Sequence, residues 1–327
     1  MDSVTERAQV REQRTETPPP GLGGRLLRVV RGPRAVARWA VASLVVNIVI
    51  VVTGALVRLT SSGLGCPTWP RCTTDSYTTH PALGLHGAIE FGNRLLTFVL
   101  VIVALLTWVA ALLHRDERRP ERGGRRRDLR WIAAGLAFGI PAQAVIGGIS
   151  VLTQLNPFVV GLHLLVSMVL IALSVWLVRR TRGLEPVPVG RGASLAVRAT
   201  FVAMLVAVWL GTIVTGSGPH AGDENAARTG FDGSFVTHLH AAAVYVVVAT
   251  TLVAVWLLRS RAALLVLGVV VAQAVIGIVQ YELGVPVVLV MLHLLGASLA
   301  TAASANLFLS VRRSSPTPSR LGTSPAR

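Results

Sequence analysis

The chain reads as an all-α integral membrane protein of eight transmembrane helices, arranged as two pseudo-symmetric four-helix bundles. Three observations predict this. The 327 residues are 52% hydrophobic and only 14% charged, where a soluble chain carries about 25% charged residues. The apolar residues gather into runs of the roughly twenty residues that a helix needs to cross a hydrocarbon core. A six-residue string, Ala142-Gln143-Ala144-Val145-Ile146-Gly147, returns as Ala272-Gln273-Ala274-Val275-Ile276-Gly277. The runs are continuously apolar rather than alternating. Helices are therefore favoured over a closed barrel, the other structure that satisfies its backbone in lipid.

The spans expected from the apolar runs are 37–59, 83–113, 131–151, 158–179, 195–215, 236–258, 262–281 and 286–311. The polar, Pro-rich segment 1–36 is expected to be a disordered tail. Residues 37–180 form the N-terminal four-helix half, 181–194 a linker, 195–311 the C-terminal half and 312–327 a second disordered tail. The first apolar run is long and far from Met1, which does not fit a cleavable signal peptide.

Every second connection is rich in arginine. All 31 basic residues are Arg, and all but Arg58, Arg71, Arg94 and Arg228 fall in the two tails and the alternate connections. The positive-inside rule then places both termini and the linker in the cytoplasm, in a bacterial cell membrane. The all-Arg usage suggests a GC-rich genome. The net charge of +16 reads as an orientation signal and not as a nucleic-acid footprint.

The repeat extends beyond the six-residue string. The same offset carries His163-Leu164-Leu165 onto His293-Leu294-Leu295, and Thr53-Gly54-Ala55-Leu56-Val57 resembles Leu210-Gly211-Thr212-Ile213-Val214. Four helices per repeat is an even number, so the halves share an orientation about an axis along the membrane normal.

Polar groups inside an apolar span are costly and are candidates for function. His163 lies on the fourth span, His238 and His240 on the sixth, His293 on the eighth. All enter from the same side and share a depth. Imidazoles facing each other across a helix bundle hold heme iron from both sides. A lone buried His bonds a backbone carbonyl more often than a metal, but the repeat relation between His163 and His293 favours ligation. Residues two apart on a helix point in different directions, so His238 is expected to face away from the site of His240. Glu90 and Arg94 sit four apart, on one face of the second span. They form either a structural ion pair or a functional pair beside a cofactor. Cys66 and Cys72 flank Pro67-Thr68-Trp69-Pro70-Arg71 in the first outer loop, where an oxidising environment favours a disulfide over two free thiols. His80, His114 and His220 read as solvated.

The string from Thr53 to Cys72, including Arg58-Leu59-Thr60-Ser61-Ser62-Gly63-Leu64-Gly65-Cys66 and the Pro-Thr-Trp-Pro-Arg that follows, closely resembles the first helix and cysteine loop of heme A synthases. Ile89-Glu90-Phe91-Gly92-Asn93-Arg94 resembles that family's second helix. The Gly216–Asp223 loop and the histidines of the fourth and eighth spans fit as well, so the likeness covers roughly residues 40–305.

The resemblance implies oxidation of a methyl substituent of heme O to a formyl group, giving heme A. It implies a heme b between His240 and His293. It implies a substrate heme O held by His163 in the N-terminal half, with Glu90 catalytic and Arg94 beside it. The family's usual histidine is replaced here by Asn93, so the second axial ligand of the N-terminal heme is open, with His86 a rival. The partners implied are heme O synthase and cytochrome oxidase assembly factors. The electron donor is unknown. Two other readings stand beside it: a diheme b-type cytochrome that uses the same histidines to pass electrons between quinol and a partner, and a transporter with repeated halves, whose mark would be Gly/Pro-broken helices meeting at mid-membrane.

Overall fold

The computed structural model describes residues 29–32, 34–115, 126–220, 222–223 and 226–314. Among these, eight helices are long and apolar enough to cross a membrane. They are α1 (Ala35–Leu59), α2 (Gly84–Leu113), α3 (Arg127–Leu152), α4 (Pro157–Thr181), α5 (Arg191–Ser217), α6 (Gly233–Leu258), α7 (Arg261–Glu282) and α8 (Val287–Ser310). The protein is thus all-α and membrane-spanning by length and composition.

Local chemistry sets where the helices begin. Asn156 caps α4, its side-chain oxygen accepting from the Phe158 N–H at 3.0 Å, and Pro157 follows at the first helical position, where no N–H is needed. Asp232 caps α6 through the Phe235 N–H at 2.6 Å, and Ser260 caps α7 through the Ala263 N–H at 3.2 Å. The start of α3 lies at Arg127, upstream of the expected 131, because Asp128 in its first turn is held at 2.8 Å by both Arg126 and Arg180. That pairing lets a charged turn remain helical.

Helices α1 to α4 pack as a ring, each against the next and α4 against α1. Helices α5 to α8 form a second ring in the same way. Each ring has its own apolar core, around Leu129, Leu136 and Leu177 in the first and Val197, Val247 and Val266 in the second. The rings meet where α8 packs on α1 and α4, and α4 on α5. Met168, Ile171, Val51 and Val208 form the cluster at that seam. The outward faces carry large apolar side chains such as Phe98, Trp131, Tyr245 and Trp256, as a lipid-facing surface requires.

Two short strands depart from the expected boundaries. Val187–Val189, in the segment expected as a linker, pairs in parallel with Val311–Arg313. Arg312 and Arg313 therefore hold backbone partners although they fall in the expected tail. Within the expected N-terminal tail, Val30 is buried and packs on the first core. Residues 1–28 and 315–327 lie outside the described residues.

Candidate heme-binding sites

The loop between α1 and α2 closes on itself through a Cys66–Cys72 disulfide. Glu90, on the second turn of α2, is buried and accepts from the Cys66 backbone N–H. Its other oxygen accepts from Arg94 Nη2 at 2.6 Å and Nε at 3.2 Å. Arg94 in turn donates to the carbonyls of Cys66, Thr68 and Arg71 at 2.9–3.0 Å. The i, i+4 spacing does produce an ion pair. Both partners also grip the loop, a second task that their spacing does not reveal.

Beneath this loop lies a cavity of about 620 Å³, within the range of pockets that enclose a cofactor-sized ligand. Its lining draws on α1 to α4: Asn47, Gly54 and Arg58, then Glu90, Asn93 and Arg94, then Gln143, Gly147 and Gly148, then His163. Thr212 and Thr215 of α5 and Leu294 of α8 complete it, so the cavity reaches the seam between the rings. Three residues expected to serve the N-terminal half, Glu90, Arg94 and His163, thus share one space with Asn93. Asn93 is held there by Thr53, whose hydroxyl donates to Oδ1 at 2.8 Å.

His86 does not join them. It is exposed, its Nδ1 lies 3.0 Å from the Ser62 hydroxyl, and it is absent from the cavity lining. One helical turn before Glu90, it sits where the cysteine loop lies on the start of α2. His220, expected to be solvated, is instead part-buried, its Nε2 2.9 Å from the Val285 carbonyl.

In the second ring, His240 and His293 face each other with ring centroids 6.4 Å apart and ring planes at 76°. His240 Nδ1 donates to the Ala207 carbonyl at 2.9 Å, which leaves Nε2 with its lone pair free. His293 Nδ1 and His163 Nδ1 are buried without a hydrogen-bond partner among the described residues. His238 points elsewhere, as the helical geometry predicts: its Nδ1 lies 2.7 Å from its own Ser234 carbonyl and it is exposed.

The repeated glycines gain a reason from this geometry. A Cβ on Gly147 would stand 3.1 Å from His163 Cε1, and one on Gly277 would stand 3.4 Å from His293 Cε1. The last residue of the repeated string therefore lies against an imidazole in both halves, tightly at Gly147 and at ordinary contact distance at Gly277. Gly211 lies likewise against His240, at 3.3 Å. Gly54, its counterpart in the first helix, has no atom within 4 Å of its Cβ position. Gly148, beside Gly147 in the cavity lining, receives the indole of Trp69.

The family model described as COX15-CtaA, cytochrome oxidase assembly protein, matches residues 37–83 and 85–305. The chain belongs to this family. All eight helices and both histidine sites lie within the matched residues, apart from the outermost turns of α1 and α8. Among curated members, heme A synthase of Lysinibacillus sphaericus is 33% identical over 144 residues, 43% of each chain. Heme A synthase of Geobacillus thermodenitrificans is 31% identical over 37% of this chain and 34% of its own. That of Methylorubrum populi is 30% identical over 57% of this chain and 55% of its own. The matched segments thus span about half the length of these relatives or less. Within the family frame, the residues that sequence reasoning overlooked are Arg58, Gln143 and the histidine-facing glycines. Arg58 carries the one clear signal, a charge in the last turn of the helix and outside the Arg-rich connections. Gln143 donates to the His163 carbonyl at 2.9 Å, and its place in the repeated string is the mark that identifies it.

Proposed function

We propose that this chain is a heme A synthase, oxidising a methyl substituent of heme O to the formyl group of heme A. The observation that carries this reading is the cavity of about 620 Å³ that holds His163, Glu90 and Arg94 together, within a chain of the COX15-CtaA family. A cavity of that size, apolar apart from a few convergent polar groups, suits a porphyrin.

In this reading heme O is the substrate and lies in the N-terminal cavity, with His163 toward its iron. Glu90 lies at the wall of the same cavity, its charge balanced by Arg94. It is placed to stabilise positive charge developing at the oxidised carbon, or to accept the proton released there. With water as the oxygen source, two successive oxidations of the methyl group balance as CH3 + 2 H2O → CH(OH)2 + 4 H+ + 4 electrons, followed by loss of one water to the aldehyde, so the conversion calls for an external electron acceptor as co-reactant. The disulfide-closed loop, pinned by Glu90 and Arg94, covers the site and keeps bulk water from it.

His240 and His293 are the residues that would hold a heme b. Two metal–imidazole bonds of roughly 2 Å, plus the half-widths of two rings, separate ring centroids by about 6 Å. The 6.4 Å observed fits that spacing. When bound there, heme b supplies electron transfer. His240 is held in one tautomer by Ala207, and Gly211 and Gly277 leave space for both rings.

The Arg-rich connections favour both termini in the cytoplasm of a bacterial cell, with the cysteine loop outside. Heme O synthase and cytochrome oxidase assembly factors are the partners that such an activity calls for. The test is chromatography of heme extracted from cells that make heme O, with and without this chain. A new formyl-heme peak that depends on the chain is the expected result. Unchanged heme O with a normally folded protein would contradict the reading and favour an electron-transfer cytochrome.

A further inference from the structure

Arg58 stands in the last turn of α1 and lines the N-terminal cavity. Its Nε donates to the His220 carbonyl at 2.6 Å and its Nη2 to the Thr215 carbonyl at 3.3 Å. Those bonds use one edge of the guanidinium and bring no negative charge. Among the described residues no carboxylate pairs with it: Glu90 is taken by Arg94. The charged group that acts on it is another cation, Arg228. An arginine withdrawn from water at the wall of an apolar cavity is costly unless an anion meets it. Nη1 and the second hydrogen of Nη2 remain for that purpose, and this end-on pair can hold a carboxylate bidentately.

The placement belongs to one half alone. In the register that sets Thr53–Val57 beside Leu210–Val214, the position of Arg58 is taken by Thr215. The C-terminal half, which presents two facing histidines, has no arginine there. The half with the cavity has one.

We propose that Arg58 is the anion subsite of the N-terminal cavity and binds a carboxylate of the ligand, namely a propionate of the porphyrin. This rests on the reading of the cavity as a heme site and goes beyond it by assigning how the ring is oriented. A porphyrin with one edge of carboxylates, anchored at the α1 end, has its rotation in the cavity fixed. That decides which ring substituent reaches Glu90.

The test uses the full-length protein in detergent with the C-terminal site already loaded with heme. Iron protoporphyrin IX and its dimethyl ester are then titrated into the second site and followed by absorption. The free acid should bind about ten- to a hundredfold more tightly than the diester, as expected for a charge-assisted pair shielded from water. Arg58→Gln should bind both forms alike, and Arg58→Lys, which keeps the charge, should restore part of the preference. Equal affinity of the unsubstituted protein for acid and diester would overturn the proposal, as would an undiminished preference in Arg58→Gln. If Arg58→Gln loses the C-terminal heme, and so its fold, the comparison in the unsubstituted protein decides. Failure of both porphyrins to enter the second site would overturn the heme reading of the cavity, a separate outcome from insensitivity to esterification.

Discussion

The two halves share a scaffold and differ in what it holds. In the C-terminal half, His240 rests on Gly211 and His293 on Gly277, and the rings face each other at 6.4 Å. In the N-terminal half, His163 rests on Gly147, but Gly54 faces open space and Asn93, tied to Thr53, lines the cavity instead of a second imidazole. The same half alone carries Glu90, Arg94 and Arg58. The two halves thus share glycines beside their histidines and differ in the polar side chains around them. A facing pair of imidazoles suits a cofactor that stays. One imidazole, a carboxylate and two arginines around a cavity suit a ligand that must enter, react and leave. Leu294 and Thr212, which line the N-terminal cavity, stand next in sequence to His293 and Gly211, so the cavity wall includes neighbours of the facing-histidine site.

The largest expected effect breaks the C-terminal side of the comparison. His240→Ala or His293→Ala should each abolish the six-coordinate low-spin heme signal of the purified protein, measured by absorption. An unchanged low-spin spectrum in both variants would remove the assignment. On the other side, Glu90→Gln preserves the acceptor for the Cys66 N–H and removes the charge. It should lower heme A formation roughly 10²-fold or more while leaving the C-terminal heme in place. Near-normal conversion would mean that Glu90 serves the loop and not the chemistry.

How much of this was legible in the sequence depends on what each feature rests on. The eight spans follow from length and hydropathy, which the bilayer imposes directly. The shared depth of His163, His240 and His293 follows from where each apolar run begins. The second role of Glu90 was not legible, because the loop atoms it binds are backbone groups of a segment without regular structure. His220 was misread as solvated for a similar reason: its partner, the Val285 carbonyl, lies in a different connection. His86 shares a face with Asn93, yet rise along the helix carries it out of the cavity and beside Ser62. The pairing of Val187–Val189 with Val311–Arg313 joins segments that local pattern cannot relate.

A third prediction tries to erase the difference between the halves. Asn93→His should place an imidazole where Gly54 leaves room, and the N-terminal heme should gain a low-spin, six-coordinate signal when heme is supplied. Persistence of the original spectrum in a folded, heme-loaded variant would show that Asn93 is not the counterpart of His240. The smallest effect concerns the loop above the cavity. Replacing Cys66 and Cys72 by Ser should lower stability by about 2 kcal/mol or less, because the closed loop is short and Glu90 and Arg94 hold it independently. A collapse of thermal stability in detergent would show that the disulfide, and not the ion pair, fixes the loop.

The division of labour between the halves is tested most directly by His163→Ala in cells that make heme O. The heme bound to the purified variant and to the unsubstituted protein is extracted and identified. The account predicts that the variant keeps its full complement of heme b and has lost the heme O and heme A that the unsubstituted protein carries. A variant that loses heme b while retaining heme O or heme A would contradict it.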